Sequence, residues 1–509
     1  MAYSALFSDP TATFQTVVAL IGVAAVTICV RRIWFHPLSR FPGPRVWAAS
    51  RIPYVASLLR GTLNSEMLRL HEEYGPVVRL APNELSFATE EAWRDIYMHR
   101  KGHQEAKKDT TWYMAPEDMP PNIVTTPDIQ VRARMRRLLS TSFNVQSLLD
   151  QAPVLERYAN IVIDRLSAIQ KSNALREKAT VVNMLDWTNF YTMDVIGDLA
   201  MGESFHCLDQ SSYHPWVQTL HMFFKGMIIA AAVRFFPGGW FVLQALIPKR
   251  IREQQKQHTE FTNTKIRQRV ELKTNRPDFL SPFLREMKTS PDKMSLGEIQ
   301  STFGVILVAG SETTATTLVG CLYRLASNPT IQERLWSELD QSFTTNDSIT
   351  VESTKSLEYL DAVLNESLRL CYAVSGGLPR IVPDKGDTYA GHFVPGGTSI
   401  SIRPHVLLHS EKYFHDAWVF DPERWLPIEQ RPEKYANDNL AASQPFSVGS
   451  TGCIGKPLAW AEMRIMVAKL LWHFKLSMTK EKPFKWEDLK MMMVVEKGPL
   501  WLALEKRDR

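Results

Sequence analysis

The sequence is poor in cysteine, and the placement of its cysteines excludes two common kinds of structure. Five cysteines occur in 509 residues, at Cys29, Cys207, Cys321, Cys371 and Cys453. Their number is odd and none forms a C-x-x-C pair, so the sequence predicts neither a disulfide framework nor a zinc site. Scattered, unpaired cysteines are typical of a protein that folds in a reducing compartment.

Several other features are absent as well. The net charge of +5 is modest for this length, and no concentrated basic field indicates nucleic-acid binding. After the first forty residues there is no Gly/Ser linker and no internal repeat, and no G-x-G-x-x-G fingerprint for a dinucleotide occurs. Hydrophobic residues make up 45% of the chain and charged residues 22%, which is ordinary for a globular protein. We therefore expect one large domain.

The longest uncharged run lies near the N-terminus. Thr13 to Val30 carries no charge, and Arg31 and Arg32 follow at once. As a helix this run would be ~27 Å long, enough to cross the hydrocarbon core of a bilayer. A cleavable signal peptide is the alternative, but its positive charge normally precedes the apolar run. We expect a short segment at 1–12, a retained transmembrane anchor at 13–30, a basic, proline-rich spacer at 31–44 and a globular domain at 45–509 on the cytosolic side.

Helical periodicity dominates the globular part of the chain. Two stretches alternate instead and predict small hairpins: Val77–Phe87, around Ala81-Pro82-Asn83-Glu84, and Asp387–Ile402, interrupted by Gly391 and by Pro395-Gly396-Gly397. The fold class that we predict is mainly α with a minor β-sheet.

A glycine-rich stretch around Cys453 is the most distinctive part of the sequence. Phe446 to Gly455 contains three glycines, and a helical run from Lys456 to His473 follows it. Cys453 would therefore lie at a helix N-terminus, where unpaired N–H groups favour a thiolate and hence a metal. A simply buried cysteine is the alternative reading. A phosphate-binding loop is excluded, because Ser450 and Pro457 replace residues that it requires.

The longest helical run begins at Ser295, with Glu298 completing a capping box, and continues to Asn328-Pro329. Its middle carries Ala309-Gly310-Ser311-Glu312-Thr313-Thr314, a polar group among apolar neighbours. Burying such groups is costly, so we expect a local groove beside a reactive centre, with an exposed polar patch as the alternative.

Arginines recur in positions that favour anion binding. Arg132 and Arg136 fall on one face of a predicted helix, and Arg134 and Arg137 fall on the opposite face. A solvated basic helix is the alternative. His405 and His409 have the i, i+4 spacing of metal ligands, but no nearby acid completes a zinc motif, so we interpret them as structural.

Taken in order, these features resemble the cytochrome P450 superfamily of haem-thiolate monooxygenases. Six features carry the resemblance along nearly the entire chain: the anchor with its Phe41-Pro42-Gly43-Pro44 spacer, the Arg132/Arg136 helix, Ala309 to Thr314, Glu366 to Arg369, Pro422 to Trp425, and Phe446 to Gly455. A single E-x-x-R pair is a weak signal, whereas the ordered set is highly specific.

The resemblance implies that Cys453 is the thiolate ligand of the iron of haem b. Phe446 would pack against the porphyrin, with Gly449 and Gly455 in the same cofactor-binding loop. Glu366, Arg369 and Arg424 look like the family's Glu-Arg-Arg cluster, which supports the cysteine loop and takes no part in the chemistry.

The resemblance also assigns catalytic roles on the long helix. Glu312 and Thr313 match the family's acid–alcohol pair, which relays the protons that oxygen activation consumes, and Gly310 would open the helix for oxygen. The sequence departs from the family at Thr451, where arginine is usual, and at Arg132, where histidine or tryptophan is usual. We expect Arg132 to compensate by joining Arg136 and Arg380 around the haem propionates.

The partners implied by the resemblance are O2, a lipophilic small-molecule substrate and NADPH–cytochrome P450 reductase, which would supply electrons from NADPH and face Arg134 and Arg137. The expected location is the endoplasmic reticulum membrane, crossed once, with the catalytic domain in the cytosol. By family position the candidate pocket residues are Trp112, Tyr113, Phe303, Ile306, Ala309, Val374, Gly376 and Leu378. They are largely apolar, which suits a lipophilic ligand.

The segment Gly-Cys-Ile-Gly-Lys-Pro-Leu-Ala-Trp resembles the corresponding sequence of fungal enzymes of secondary metabolism. The expected reaction is therefore insertion of one oxygen atom from O2 into a secondary metabolite. Two alternatives remain open at this point: a haem-thiolate isomerase, dehydratase or peroxygenase that needs no reductase, and a non-catalytic haem-binding membrane protein.

Overall fold

The computed structural model describes residues 10–114, 119–175, 180–272, 274, 276–290 and 293–507, without the side chains of 218–225. Residues 1–9 of the predicted segment 1–12 lie outside this description. The helices are α1 Pro10–Trp34, α2 Arg45–Ala49, α3 Ile52–Arg60, α4 Leu63–Tyr74, α5 Glu91–Tyr97, α6 Ile129–Ser140, α7 Val145–Ala174, α8 Met184–Met201, α9 Cys207–Gln210, α10 Pro215–Arg234, α11 Gly239–Leu246, α12 Lys249–Glu271, α13 Leu280–Thr289, α14 Leu296–Ser327, α15 Pro329–Ser342, α16 Glu358–Leu370, α17 Pro404–Leu408 and α18 Lys456–His473.

Short strands form the minor β component. They are β1 Val77–Ala81, β2 Glu84–Phe87, β3 Lys107–Lys108, β4 Val181–Asn183, β5 Arg380–Ile381, β6 Asp387–Tyr389, β7 His392–Val394, β8 Ser399–Ile402, β9 Phe474–Met478, β10 Lys490–Met491, β11 Val495–Glu496 and β12 Trp501–Lys506. The largest sheet has the order β1-β2-β8-β5-β3, and β4-β12-β9 form a second sheet. The predicted fold class, mainly α with a minor β-sheet, is confirmed.

The two predicted hairpins have different outcomes. β1 and β2 pair antiparallel with Val77 opposite Phe87, as expected. In the second stretch only β6 and β7 form a hairpin, and β8 instead pairs in parallel with β2. The turn Pro395-Gly396-Gly397 redirects the chain, with Gly397 at φ +75°, a conformation that favours glycine.

Helix α1 contains the predicted anchor 13–30 and extends beyond it at both ends. Its apolar window has a mean hydropathy of 2.1 and no buried residue. Helix α14 is also long and apolar enough to cross a membrane, but 72% of its window is buried. Burial inside the globule marks α14 as a core helix, whereas α1 has the exposed apolar surface of a membrane-spanning candidate.

Helix α14 forms the centre of the globule. Its N-terminus has the predicted capping box: the Ser295 hydroxyl accepts from the Glu298 N–H, and the Glu298 carboxylate accepts from the Ser295 N–H. The helix is ~48 Å long and packs against α8, α12, α16 and α18. Ten of its buried residues belong to the largest apolar cluster of the protein. The polar group at its middle is therefore placed deep in the molecule.

Helix α18 begins directly after the cysteine loop. Gly455 is its N-cap and Pro457 lies in its first turn, where the missing N–H costs nothing. The helix packs against α7, α14, α15 and α16 and is buried over most of its length. Because α18 is held on several sides, the loop at its N-terminus has a fixed position relative to α14.

Candidate active site

The loop before α18 is closed by backbone hydrogen bonds and by one sterically required glycine. The Cys453 N–H donates to the Phe446 carbonyl at 2.8 Å, and the Gly452 N–H donates to the Gly449 carbonyl at 3.1 Å. Gly449 has φ +71°, and a Cβ there would collide with the carbonyl oxygen of Tyr97. Only glycine fits this position, so α5 and the loop are held in direct contact.

Cys453 is the one exposed cysteine among the five. Desolvation nevertheless raises the pKa of its thiol, although the residue as a whole is exposed. The N–H groups of Gly455 and Lys456 and the charge of Arg136 act in the opposite direction. The sequence predicted this helix-terminus effect, but burial outweighs it, so a stable thiolate here needs a further cation. A metal ion bound to the sulfur supplies that charge.

Gly455 leaves room beside the sulfur. A Cβ at this position would lie 3.8 Å from the Cys453 sulfur, an ordinary van der Waals distance. Phe446 is half-buried against the main apolar cluster, with the Lys456 ammonium 5.7 Å from its ring centroid. The sulfur therefore has bare backbone beside it, and an aromatic ring belongs to the same loop, a combination that fits a flat, apolar group.

Four cationic side chains, Arg132, Arg136, Arg380 and Lys108, lie beside the cysteine loop. Arg136 donates to the Gly452 carbonyl at 2.6 Å. Arg380 donates to the Thr451 hydroxyl at 2.9 Å, and Arg132 donates to the Ser450 hydroxyl at 3.2 Å. The three arginines that the sequence grouped together therefore meet on one short segment, although it lacks an arginine of its own.

Lys108 is the member of this cluster that sequence reasoning missed. It is buried, and its pKa is lowered to about 7, first by desolvation and then by Arg380, Arg132 and Arg136. Its ammonium group donates to the carbonyls of Ile123 and Val124, at 2.8 and 2.7 Å. Its position in the two-residue strand β3, paired with Arg380 of β5, could not be recognised from sequence.

The cationic cluster is short of negative charge. Glu105 forms an ion pair with Arg132, and it accepts from Ser450 at 2.9 Å. The other Arg132 terminal nitrogen, Nη1, is buried without a hydrogen-bond partner among the described residues. Repulsion that lowers the Lys108 pKa and an unsatisfied guanidinium nitrogen both indicate an anionic ligand. The two propionates of haem b have the required charge, so the residues present fit this cofactor.

The polar group on α14 has a more specific arrangement than the sequence indicated. Ala309 is exposed between the half-buried Val308 and Gly310, which places accessible surface at the middle of the helix. The Thr313 hydroxyl donates to the Ala309 carbonyl at 2.7 Å. The Glu312 carboxylate is buried and forms a 2.7 Å ion pair with Lys497. Lys497 was not predicted. The only sequence signal for it is that two charged residues, Glu496 and Lys497, directly precede Gly498-Pro499.

Gly310 has a role in packing. A Cβ at Gly310 would lie 2.6 Å from the Cδ1 atom of Ile196, on helix α8. The glycine thus allows α8 and α14 to approach closely. Its expected role in admitting oxygen stays a prediction.

The Glu366, Arg369 and Arg424 cluster forms as expected. Arg369 donates to both Glu366 oxygens, at 2.8 and 2.7 Å, and Arg424 donates to one of them at 3.1 Å. Burial raises the pKa of Glu366, but the two arginines outweigh it and the net pKa is lowered. Arg369 also donates to the carbonyls of Leu408 and Ala417. The cluster therefore ties α16 to the irregular chain that precedes the cysteine loop.

The candidate pocket residues do not all lie together. Phe303 has no accessible surface and packs edge-to-face on Phe283 of α13, 5.5 Å between ring centroids, so it is a core residue and its assignment to the pocket is wrong. Tyr113 accepts from Arg380 at 3.2 Å and lies with the cationic cluster. Ile306 is buried on α14, and Val374 and Leu378 are half-buried.

A small group of candidate pocket residues does meet. A Cβ on Gly376 would lie 3.1 Å from the Trp112 ring. The Gly376 N–H donates to the Met493 carbonyl at 3.2 Å. Met493 was not predicted, because it belongs to the turn between β10 and β11, which no sequence pattern placed beside this region. The C-terminal part of the chain therefore contributes to the same wall of the candidate substrate pocket as Trp112 and Gly376.

Two other sequence interpretations concern side chains with identified partners. His405 is buried with a hydrogen bond to Tyr372, and His409 is buried with a hydrogen bond to the His405 carbonyl. Arg134 forms an ion pair with Glu298 and donates to the Lys293 carbonyl at 2.7 Å. Arg134 therefore connects α6 to the start of α14 while it keeps some accessible surface, and its expected contact with a partner stays a prediction.

Comparison with known proteins gives one consistent result. The family model described as Cytochrome P450 matches residues 41–503. Cytochrome P450 monooxygenase astJ of Aspergillus oryzae is 39% identical over 481 residues, covering 94% of each chain. Averantin hydroxylase of Dothistroma septosporum is 37% identical over 97% of this chain and 92% of its own. Trichothecene C-15 hydroxylase of Fusarium sporotrichioides is 36% identical over 95% of this chain and 96% of its own. With its cysteine loop, its cationic cluster and these relatives, the chain belongs to the cytochrome P450 family of haem-iron monooxygenases.

Proposed function

We propose that this enzyme inserts one oxygen atom from O2 into a lipophilic small molecule, with electrons that NADPH supplies through a reductase. One observation carries the proposal: an exposed cysteine, Cys453, directly before a helix N-terminus lies beside a cationic cluster that is short of negative charge. When bound, haem b would supply the redox chemistry that activates oxygen. The protein contributes binding, orientation and proton transfer.

Each part of the loop has a separate role in holding the cofactor. Cys453 would be the iron ligand, with its charge stabilised by the N–H groups of Gly455 and Lys456. Phe446 offers one ring face, and Gly449 and Gly455 keep the backbone free of side chains on the cofactor side. Arg132, Arg136, Arg380 and Lys108 would bind the propionates.

Glu312 and Thr313 would supply protons to the reaction. A buried carboxylate next to a hydroxyl-bearing residue, in a helix with accessible surface at Ala309, is a suitable proton relay. The hydroxyl of Thr313, which donates to the Ala309 carbonyl, can rotate to donate elsewhere once an acceptor is present.

The substrate class follows from the wall and from the relatives. Trp112, Val374 and Met493 present apolar atoms, so a lipophilic ligand is favoured. Two relatives are named hydroxylases, of averantin and of trichothecene C-15. These names, together with the similarity of this chain to further fungal cytochrome P450 monooxygenases, favour hydroxylation of a secondary metabolite.

The proposed membrane location is supported by α1 and by the exposed surface of α11. Helix α1 is exposed and has Arg31 and Arg32 in its last turn, an order that favours a globule on the cytosolic side of the endoplasmic reticulum membrane. Helix α11 is short and apolar, and Phe241, Val242 and Leu246 are exposed on it. Exposed apolar surface of this kind suits contact with a bilayer.

The electron source is proposed to be NADPH–cytochrome P450 reductase, because the sequence has no dinucleotide fingerprint of its own. The test is to purify the full chain with haem, reduce it, add carbon monoxide and look for the red-shifted absorbance of thiolate-ligated haem. Turnover is then measured with reductase and NADPH against candidate lipophilic metabolites. A normal band with NADPH-independent turnover would favour an isomerase, dehydratase or peroxygenase, and a Cys453→Ser variant that keeps the band would refute the assignment of the ligand.

A further inference from the structure

The acid on α14 has a buried partner from the far end of the chain. Lys497 Nζ lies 2.7 Å from Glu312 Oε2, and the side chains are 3% and 8% exposed. At such burial, an isolated carboxylate takes up a proton to avoid the cost of desolvation. An ammonium group at hydrogen-bond distance stabilises the carboxylate form instead. The charge of Glu312 therefore depends on Lys497.

Lys497 is itself held by a hydrogen-bonded chain. Its ammonium group donates to Asn189 Oδ1 at 3.2 Å, and Asn189 Nδ2 donates to the Tyr213 hydroxyl at 3.0 Å. Tyr213 donates to Asp186 Oδ1 at 2.8 Å. Asn189 is buried, whereas Tyr213 and Asp186 are half-buried. The chain thus leads from Glu312 along α8 toward the surface.

The backbone around Lys497 connects two regions. On one side, Val495 donates to the Ala373 carbonyl at 3.3 Å, and the Met493 carbonyl accepts from Gly376, so this side belongs to the candidate pocket wall. On the other side, the Leu500 carbonyl accepts from the Met184 N–H at 2.7 Å, at the start of α8. Lys497 lies between these two attachments, with little freedom to leave Glu312.

We propose that Lys497 is a positioning residue that holds Glu312 ionised and oriented for proton delivery; this inference rests on the proposed monooxygenase function. An ionised carboxylate only accepts, so Glu312 must first take a proton from water and then donate it toward Thr313, which returns it to the carboxylate form. Lys497 stabilises the form that begins and ends each delivery. Successive helix residues project about 100° apart, so the ion pair also fixes where the carboxylate stands relative to the Thr313 hydroxyl.

The test compares four variants of the full chain with bound haem. Lys497→Met removes the charge at similar length, Lys497→Arg keeps it, and Lys497→Met combined with Glu312→Gln removes both charges. Lys506→Met is the matched control, because Lys506 is exposed at the end of β12 in the same segment. Removing one partner of a buried pair is destabilising, so the double variant provides a folded reference if Lys497→Met is unstable.

The first readout does not depend on turnover. Infrared difference spectra of Lys497→Met against the wild type are expected to show the C=O stretch of a new protonated carboxylic acid. This band should be absent from the spectra of the double variant, of Lys497→Arg and of Lys506→Met. If the single variant shows no new band relative to the double variant, Lys497 does not set the charge of Glu312 and the proposal is overturned.

The second readout is NADPH oxidation with reductase, in H2O and in D2O. We expect Lys497→Met to lose about tenfold or more in rate, with a larger solvent isotope effect, because positioned acid–base groups contribute at least that much. Lys497→Arg should recover most of the rate, and Lys506→Met should match the wild type. A new infrared band with an unchanged rate and isotope effect would make the pair purely structural and overturn the proposal. Absence of NADPH oxidation by the wild type would refute the proposed function, and the infrared band would then decide whether Lys497 sets the charge of Glu312.

Discussion

Arg369 and Glu366 face each other through two hydrogen bonds on one turn of α16, and neither side chain has any accessible surface. When one partner of such a deeply buried pair is removed, water cannot reach the remaining charge to hydrate it. We expect Arg369→Ala to lower the free energy of unfolding by about 3–5 kcal/mol, because the buried Glu366 charge would lose one of its two arginine partners and keep only Arg424. Urea unfolding of the full chain measures this change.

The control for this variant is Arg69→Ala, on α4. Arg69 forms ion pairs with Glu66 and Glu73 on the protein surface, at 3.1 and 2.9 Å. Exposed pairs contribute about 1 kcal/mol or less, so this variant should unfold almost like the wild type. Equal losses in the two variants would show that burial does not determine the importance of the Glu366 cluster.

Gly449→Ala is expected to impair the cysteine loop. The position has φ +71°, and its Cβ would collide with the Tyr97 carbonyl. Gly397 is the matched control, with φ +75° and no atom within 4 Å of the added Cβ. Gly397→Ala should cost only the ~1–2 kcal/mol of an unfavourable backbone conformation. Gly449→Ala should cost more and reduce the haem bound per protein, as measured by absorbance. Equal haem content in the two variants would contradict the proposed role of the contact with α5.

Arg132→Ala is expected to weaken haem retention by about tenfold, the effect of losing one charge-assisted hydrogen bond. The structural reason is the buried Arg132 Nη1, which has no hydrogen-bond partner among the described residues. Transfer of haem to an excess of a haem-scavenging protein gives the rate of loss. Arg134→Ala, on the other face of α6, is the control and should lose haem at the wild-type rate. Unchanged retention in Arg132→Ala would refute its compensation for Thr451.

Glu462 makes stability depend on pH. It is buried on α18, and burial raises its pKa to about 8 although the Thr314 side chain acts in the opposite direction. Between about pH 4.5 and pH 8 the folded state keeps a proton that the unfolded state has lost. The free energy of unfolding therefore falls as the pH rises, by up to ~1.4 kcal/mol per pH unit from this group.

The Glu462→Gln variant should remove this contribution. Glutamine has nearly the same shape and does not titrate, so the wild type and the variant should differ more at pH 7.5 than at pH 5.5. Urea unfolding at both pH values gives the two differences. Parallel behaviour of the two proteins would mean that Glu462 keeps an ordinary pKa in the folded state.

The sequence by itself determined the features that depend on neighbouring residues. The capping box of Ser295 and Glu298, the helix from Lys456 to His473 and the hairpin of Val77–Phe87 all formed as predicted, because each depends on local backbone geometry. The family motifs likewise placed Cys453, Glu312 and Glu366 without any knowledge of the fold.

Only the tertiary structure decided which distant groups meet. Lys497 reaches Glu312 across 185 residues of sequence, Lys108 joins the arginines through the two-residue strand β3, and Arg134 turns to Glu298. The packing of Phe303 on Phe283 and of Gly310 on Ile196 was equally hidden. Periodicity and capping specify how each segment folds and which face is apolar. The partner of a buried charge is fixed only when helices and strands pack, because its pairing energy depends on the distance and the burial that packing creates.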